Sequence, residues 1–254
     1  MKERNLPTLF RALVVTFLLL PVMACAEKPA DTGANVEKVA MQGQVVEKLQ
    51  KTDIAKLEPK KSVSEVKTFE KDIHYAELFS PVPVSTANGE VEVVEMFWYG
   101  CPHCFKLDPH LNKWHKGAAN DIKLITMPGI LNPAWKLHAK AFYAAEVMGV
   151  TDKFHEPLFQ TINQQGRKVR NQDALIRFVE SQGIDGNQFL EAMNSMAVTA
   201  KVARAEQLGR QYGVTGVPAL MVGGKYRVLG SGVASYDEMF EVVDFLAEKI
   251  RQEQ

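Results

Sequence analysis

The stretch VEVVEMFWYGCPHCF, residues 91–105, decides the fold. Its first half mixes β-branched and aromatic residues over strand length, which predicts a buried central strand running straight into Gly100. Behind that strand stand two cysteines, Cys101 and Cys104, separated by Pro102 and His103. After them, Phe105, Leu107, Leu111 and Trp114 have helical spacing, with Pro109 as a potential kink. Cys101 therefore sits where a helix begins. There the unpaired N–H groups and the helix dipole favour thiolate over thiol, and the thiolate is the attacking species in disulfide exchange. Position alone makes Cys101 the nucleophile, and Cys104, one turn further in, the residue that resolves a mixed disulfide. Pro102 suits a first helical turn, while His103 adds a donor, and when protonated a cation, beside the Cys101 sulfur. Stabilising the reduced thiolate makes the disulfide easier to reduce, so this pair is expected to give its disulfide away.

Outward from this centre, the folded part is expected to begin near Tyr75, with a second strand in DIKLITMP, residues 121–128. PAWKLHAKAFYAAEVMG opens behind Asn132 as a cap and stops at Gly149. NQDALIRFVESQG opens on Asn171 and closes on Gly183. NQFLEAMNSMAVTAKVARAEQLGRQYG carries a helical pattern to Gly213. Three or four helices are thus expected between two sheet segments. Strand character returns in VPALMVGGKYRV, where Gly223 and Gly224 predict a hairpin. Ser235 and Glu238 have capping-box spacing ahead of a last helix whose apolar side is Met239, Phe240, Val243, Phe245, Leu246 and Ile250. One mixed sheet with helices on both faces accommodates these elements, an α/β class without internal repeats.

The 254 residues are 46% hydrophobic with a formal net charge of +0, which supports a sizeable core and argues against nucleic acid as a partner. The basic run NQQGRKVRNQ, residues 163–172, reads as a solvated loop or face. At the N-terminus, Lys2, Arg4 and Arg11 precede the apolar run ALVVTFLLLPVMACA, shorter than the ~20 residues of a membrane-spanning helix, so residues 1–26 read as an export signal. Two cuts fit. Ala24 and Ala26 form an A-x-A site that would release a protein starting at Glu27, whereas VMAC, residues 22–25, resembles a lipobox in which Cys25 is acylated. Either removes Cys25 as a free thiol and leaves Cys101 and Cys104 as a lone pair. Residues 27–72 are polar, with almost no aromatic residue before Phe69, and read as a flexible tether with a helical stretch around EKVAMQGQVVEKLQK. Such a leash suits a lipid-anchored protein and favours the Cys25 reading.

From FWYGCPHC onward the chain resembles the thioredoxin superfamily, and the CPHC form is similar to its DsbA-type disulfide oxidases. The resemblance covers Tyr75 to the C-terminus. It implies a thioredoxin-like domain at 73–130 and 207–254, with a helical domain, 131–206, inserted between the βαβ and ββα halves. It also implies that TGVPAL carries a cis-proline, Pro218, opposite the dithiol, and that the backbone of Val217 binds the substrate strand. Glu95 matches the family's buried acid near the resolving cysteine, with a proton-relay role. Where some relatives place a lysine beside that acid, this chain has Thr126, with Lys123 offset. Implied partners are reduced or unfolded exported proteins and a quinone-linked membrane reoxidase. Implied too are a bacterial periplasmic location, a monomer and no cofactor.

Three other readings compete. A C-x-x-C pair is half of many zinc sites, but with the cysteines exhausted His103, His110, His115 or His138 would have to complete the shell, so no metal is expected; a tethered metal carrier is the alternative from another class. A structural disulfide of this spacing closes too short a loop to constrain much chain entropy. An isomerase or reductase of the same fold is the nearest alternative, although the polar leader looks too short to form a dimerisation domain. Glu95 lies among Val93, Val94, Met96 and Phe97, where an acid is costly unless functional or paired. Trp98, Trp114 and Trp135 read as core or groove-lining residues. The expected function is an exported thiol:disulfide oxidoreductase that donates the Cys101–Cys104 disulfide to newly translocated proteins.

Overall fold

In the computed structural model, which describes residues 67–254, strand β2 (Val91–Phe97) is buried at every position. The export signal, Cys25 and the expected tether up to residue 66 lie outside the described residues, but its last part is not tether: Phe69 is buried against Phe245 and Lys67 pairs with Glu241, so the fold begins before Tyr75. Strands β1 (Tyr75–Glu77), β3 (Ile122–Pro128), β4 (Ala219–Val222) and β5 (Tyr226–Val228) complete a mixed sheet of order β1-β5-β4-β2-β3. Strand β2 runs parallel to β3 and antiparallel to β4, so its polar backbone groups are satisfied on both sides. This pairing is why a run apolar at nearly every position is stable here as a strand.

Period-two alternation divides the β2 side chains between two cores. Val91 and Val93 join Leu107 and Leu111 of helix α1 (Pro102–Gly117) and Phe240, Val243 and Leu246 of helix α7 (Tyr236–Glu253). Val94 and Met96 join the helices that lie between β3 and β4. Pro109 lies inside α1 without ending it. Arg251 of α7 donates to both Asp121 carboxylate oxygens, at 2.6 and 2.9 Å, which ties that helix to the start of β3.

Five helices, rather than three or four, connect β3 to β4: α2 (Lys136–Val147), α3 (Thr151–Asn163), α4 (Gln172–Ser181), α5 (Gly186–Met193) and α6 (Met196–Gln211). Helix α3 gives no start signal, because its cap position is Val150 with no side-chain hydrogen bond, and Pro157 interrupts its pattern. It is held instead by burial of Phe154, Leu158 and Phe159. The continuous pattern expected up to Gly213 is broken at Ser195, whose hydroxyl accepts the Val198 N–H at 3.2 Å and starts α6 afresh. Asn132 caps a 3-10 turn, Pro133–Trp135, that leads into α2. Asn171 caps α4. In the hairpin, Gly223 and Gly224 both have positive φ, +58° and +63°, and a Cβ at Gly224 would lie 2.0 Å from the Val82 carbonyl oxygen. Ser235 accepts the Glu238 N–H at 3.1 Å, while the Glu238 carboxylate accepts from Ala234 rather than from the cap residue itself.

Candidate active site

Cys101 is the N-cap of α1, in an extended conformation (φ −95°, ψ 114°), and its backbone N–H donates to the Trp98 carbonyl at 2.9 Å. Its sulfur accepts the Cys104 N–H at 3.4 Å, as a cap side chain does. Both cysteines are free thiols; Cys101 is 8% exposed and Cys104 is fully buried. The Cys101 pKa falls to about 6. The Cys104 S–H donating to its sulfur contributes most, the backbone N–H groups of Cys104 and His103 and the His103 charge contribute less, and burial opposes them. Cys104 is pushed strongly upward by donating that same hydrogen bond, by burial and by the nearby Cys101 and Glu95 charges. The pair is therefore asymmetric: one thiol ionises readily and its partner holds its proton.

The Val217–Pro218 peptide is cis, and the Val217 carbonyl accepts from the Cys101 thiol at 3.4 Å. Gly129 lets this loop approach, since a Cβ there would lie 3.0 Å from Val217 Cγ1. Behind the dithiol, Trp98 stacks on Trp135 at 4.4 Å between ring centroids, and its ring passes so close to Gly100 that a Cβ there would lie 2.3 Å from it. Pro102 and His103 are exposed in the first turn of α1.

Glu95 is 2% exposed and lies opposite Thr126 of β3 and Leu220 of β4. Burial pushes its pKa up to about 8, the Asp108 charge adds to the rise, and a hydrogen bond from Thr126 opposes both. Lys123 sits at the start of β3, where it pairs with Glu90 at 3.3 Å. Asp108, one turn beyond Cys104 on α1, meets His155 of α3, with Oδ1 and Nε2 3.2 Å apart. The other His155 ring nitrogen bonds the buried Tyr99 hydroxyl at 2.8 Å. Asp108, Thr126 and His155 line a cleft of about 390 Å³, and of these Thr126 also hydrogen-bonds Glu95.

The structure thus gathers Glu95, Cys101, Cys104, Val217 and Pro218 around one point at the carboxyl end of β2. Asp108, His155 and Tyr99 belong to the same site and were not singled out in the sequence. The one usable signal was the helical spacing of Asp108 from Cys104. Among the other histidines, His138 is buried and bonds the Val169 carbonyl at 2.7 Å, while His103 and His115 are exposed. Among the described residues, no group of three His, Cys, Asp or Glu side chains is placed to hold a metal ion. Trp114 stacks on Phe240 and donates to Asp244 at 3.0 Å, a packing role.

The DsbA-like thioredoxin domain family matches residues 115–243. The thiol:disulfide interchange protein DsbA of Pseudomonas syringae pv. tomato is 36% identical over 177 residues, 70% of this chain and 82% of that protein. The protein of the same name from Burkholderia cepacia is 34% identical over 172 residues, 68% of this chain and 81% of that protein. Among solved structures, DsbA of Pseudomonas aeruginosa superposes with a TM-score of 0.69 at 34% identity, covering 73% of this chain and 96% of that one. The oxidoreductase NmDsbA1 of Neisseria meningitidis gives a TM-score of 0.64 at 30% identity, covering 72% and 94%.

Proposed function

This chain belongs to the DsbA-like thioredoxin family and is a thiol:disulfide oxidoreductase, and from that premise we propose that Cys101 and Cys104 form the disulfide it donates. A client thiolate attacks the Cys101 sulfur, the S–S bond breaks, and its electron pair leaves on Cys104, which takes up a proton with Glu95 as the nearby acid. The mixed disulfide lies beside Pro218, where backbone groups of Val217 pair with the client strand. A second client thiolate then attacks the client sulfur and Cys101 leaves as thiolate. The client ends oxidised and the enzyme holds two electrons and a proton on Cys104.

The observation that carries the donor reading is the asymmetry of the pair. Cys101 ionises near pH 6 and is a good leaving group, while Cys104 is driven the other way. His103 and Pro102 tune Cys101 from the first turn of the helix. The clients are reduced exported proteins met in a bacterial periplasm, the enzyme acts as a monomer, and a quinone-linked membrane oxidase returns it to the disulfide form. Cys25 is its acylation site, and the leash that lets the domain work above the membrane ends before residue 67, since Lys67 pairs with Glu241 and Phe69 packs on Phe245.

The test is the reduction potential of the pair, measured by equilibration in glutathione buffers and trapping of free thiols. A potential well above that of glutathione is expected. A value at or below that of thioredoxin would overturn the donor reading in favour of a reductase or isomerase. Mass spectrometry of the mature N-terminus tests the anchor, which a chain starting at Glu27 refutes.

A further inference from the structure

The loop between α3 and α4, residues 164–171, holds three cations that the exchange chemistry leaves unused. Arg167, Lys168 and Arg170 are all exposed, and among the described residues none of them makes an ion pair. By contrast, Lys123, Lys136, Lys201 and Arg251 each reach a carboxylate. The loop is fixed at both ends and in its middle. The Asn163 side chain donates to the Tyr99 carbonyl at 2.8 Å, just before the dithiol, the buried His138 holds the Val169 carbonyl at 2.7 Å, and Asn171 caps α4. Because Val169 points inward, Lys168 and Arg170 flank it on the outside.

Between this loop and the active-site turn lies a cleft of about 310 Å³, with Trp98, Gly100 and Pro102 on one wall and Arg167, Lys168 and Arg170 on the other. No acidic residue lines it. Gly100 and Pro102, the two chain neighbours of Cys101, line the cleft, so it lies within reach of residues two or three positions from a client cysteine joined to that sulfur, at ~3.3 Å per extended residue. A cationic wall facing an indole and a proline suits a carboxylate on a short, partly apolar peptide.

We propose that this cleft is a client-binding subsite that selects acidic residues close to the reacting cysteine. The proposal rests on the disulfide-donor reading and names the client chemistry of that same site. The cations raise the encounter rate and hold the mixed disulfide, so the preference is for association and weakens with salt.

The test uses the oxidised full chain and two dithiol peptides identical except for Glu or Lys at the two residues flanking one cysteine, with uncharged dithiothreitol as a reference for the chemistry. Oxidation of the Glu peptide is expected to be about fivefold faster than that of the Lys peptide at low salt, the size of two exposed ion pairs, and the ratio should approach one at high salt. In R167E/K168E/R170E the ratio should invert, a gain that a misfolded protein cannot give. Wild-type protein that oxidises dithiothreitol but handles both peptides equally overturns the subsite alone. Failure to oxidise dithiothreitol overturns the donor reading. Anionic phosphatidylglycerol vesicles form a separate arm: if reversal abolishes vesicle binding and leaves the peptide ratio unchanged, the loop is a membrane contact and the proposal fails.

Discussion

Replacing Glu95 with Gln should make the oxidised protein more stable, and only above the pH range in which an ordinary glutamate ionises. Glu95 is buried between β3 and β4 with Asp108 nearby, and its pKa is raised from 4.5 to about 8. The folded state therefore holds a proton that the unfolded state releases once the pH exceeds about 4.5. Unfolding is then accompanied by proton release, so stability falls as pH rises from the unfolded towards the folded pKa, by about 1.36 kcal/mol per pH unit. Between pH 5 and pH 7.5 the loss is about 3 kcal/mol. Gln mimics the protonated acid in size and can still accept from Thr126, but it has no proton to lose. The two proteins should match at pH 5, and the variant should lead by about 3 kcal/mol at pH 7.5, a shift of roughly 1–2 M in the urea midpoint. The assay is urea unfolding followed by far-UV circular dichroism at a series of pH values, with the disulfide intact so that neither cysteine titrates. His138 also shifts, downward through burial, but it is present in both proteins and cancels. A difference between the two proteins that stays constant across pH would mean that Glu95 ionises normally and is no proton source for Cys104.

In the reduced protein, the alkylation rate of Cys101 should titrate with a midpoint near pH 6, and Cys104→Ala should raise that midpoint more than His103→Ala, because the Cys104 S–H is the larger contributor; the reverse order would restore His103 as the main tuning residue. Since the Cys101 pKa is depressed from 9.0, its stabilisation of the reduced fold is complete above about pH 9 and is lost as pH falls through about 6, so in urea titrations the reduced protein should gain stability relative to the oxidised one as pH rises from about 6 to about 9. His155→Phe keeps an aromatic ring among Phe97, Phe142 and Phe159 but leaves the buried Tyr99 hydroxyl unpaired; thermal unfolding should show a loss of about 1–3 kcal/mol, and an unchanged midpoint would mean that Tyr99 finds another partner. Gly224→Ala must fit a Cβ at positive φ and 2.0 Å from the Val82 carbonyl, so it should destabilise by more than about 1 kcal/mol, with hydrogen exchange accelerated first at β5.

The elements legible in the sequence were those whose own residues fix them. Strand β2 carries Val91, Val93, Val94 and Phe97, the Gly223–Gly224 hairpin needs two positive φ values, and Asn171 and Ser235 cap their helices with their own side chains. Helix α3 was not legible because tertiary burial of Phe154 and Leu158 forms it, without a cap. That omission propagated into the site: His155 lies on α3, so its contact with Asp108 and Tyr99 had no counterpart in a reading that lacked the helix. Thr126 could be placed near Glu95 by resemblance, but that it faces Glu95 directly follows from the parallel register of β2 and β3. The weight given to His103 was also a consequence of reading in one dimension. Spacing shows which residue lies between the cysteines, whereas the larger contribution comes from a thiol one helical turn away.

The uncharged Thr126 opposite Glu95 bears on the direction of exchange. A cation beside Glu95 would favour its carboxylate and empty it of a proton at neutral pH. Burial disfavours the carboxylate, Asp108 repels a second negative charge, and the single hydrogen bond from Thr126 does not offset them, so Glu95 stays protonated at pH 7. In the proposed exchange Cys104 leaves the disulfide as a thiolate in a fully buried place, where an unpaired anion is costly. A neutral acid beside it can quench that charge as it forms, which lowers the barrier for opening the enzyme disulfide. Once protonated, Cys104 is a poor nucleophile, so the mixed disulfide on Cys101 survives until a second client thiol arrives. An acid kept neutral in this way favours donation over resolution, at the cost of holding it buried inside the sheet.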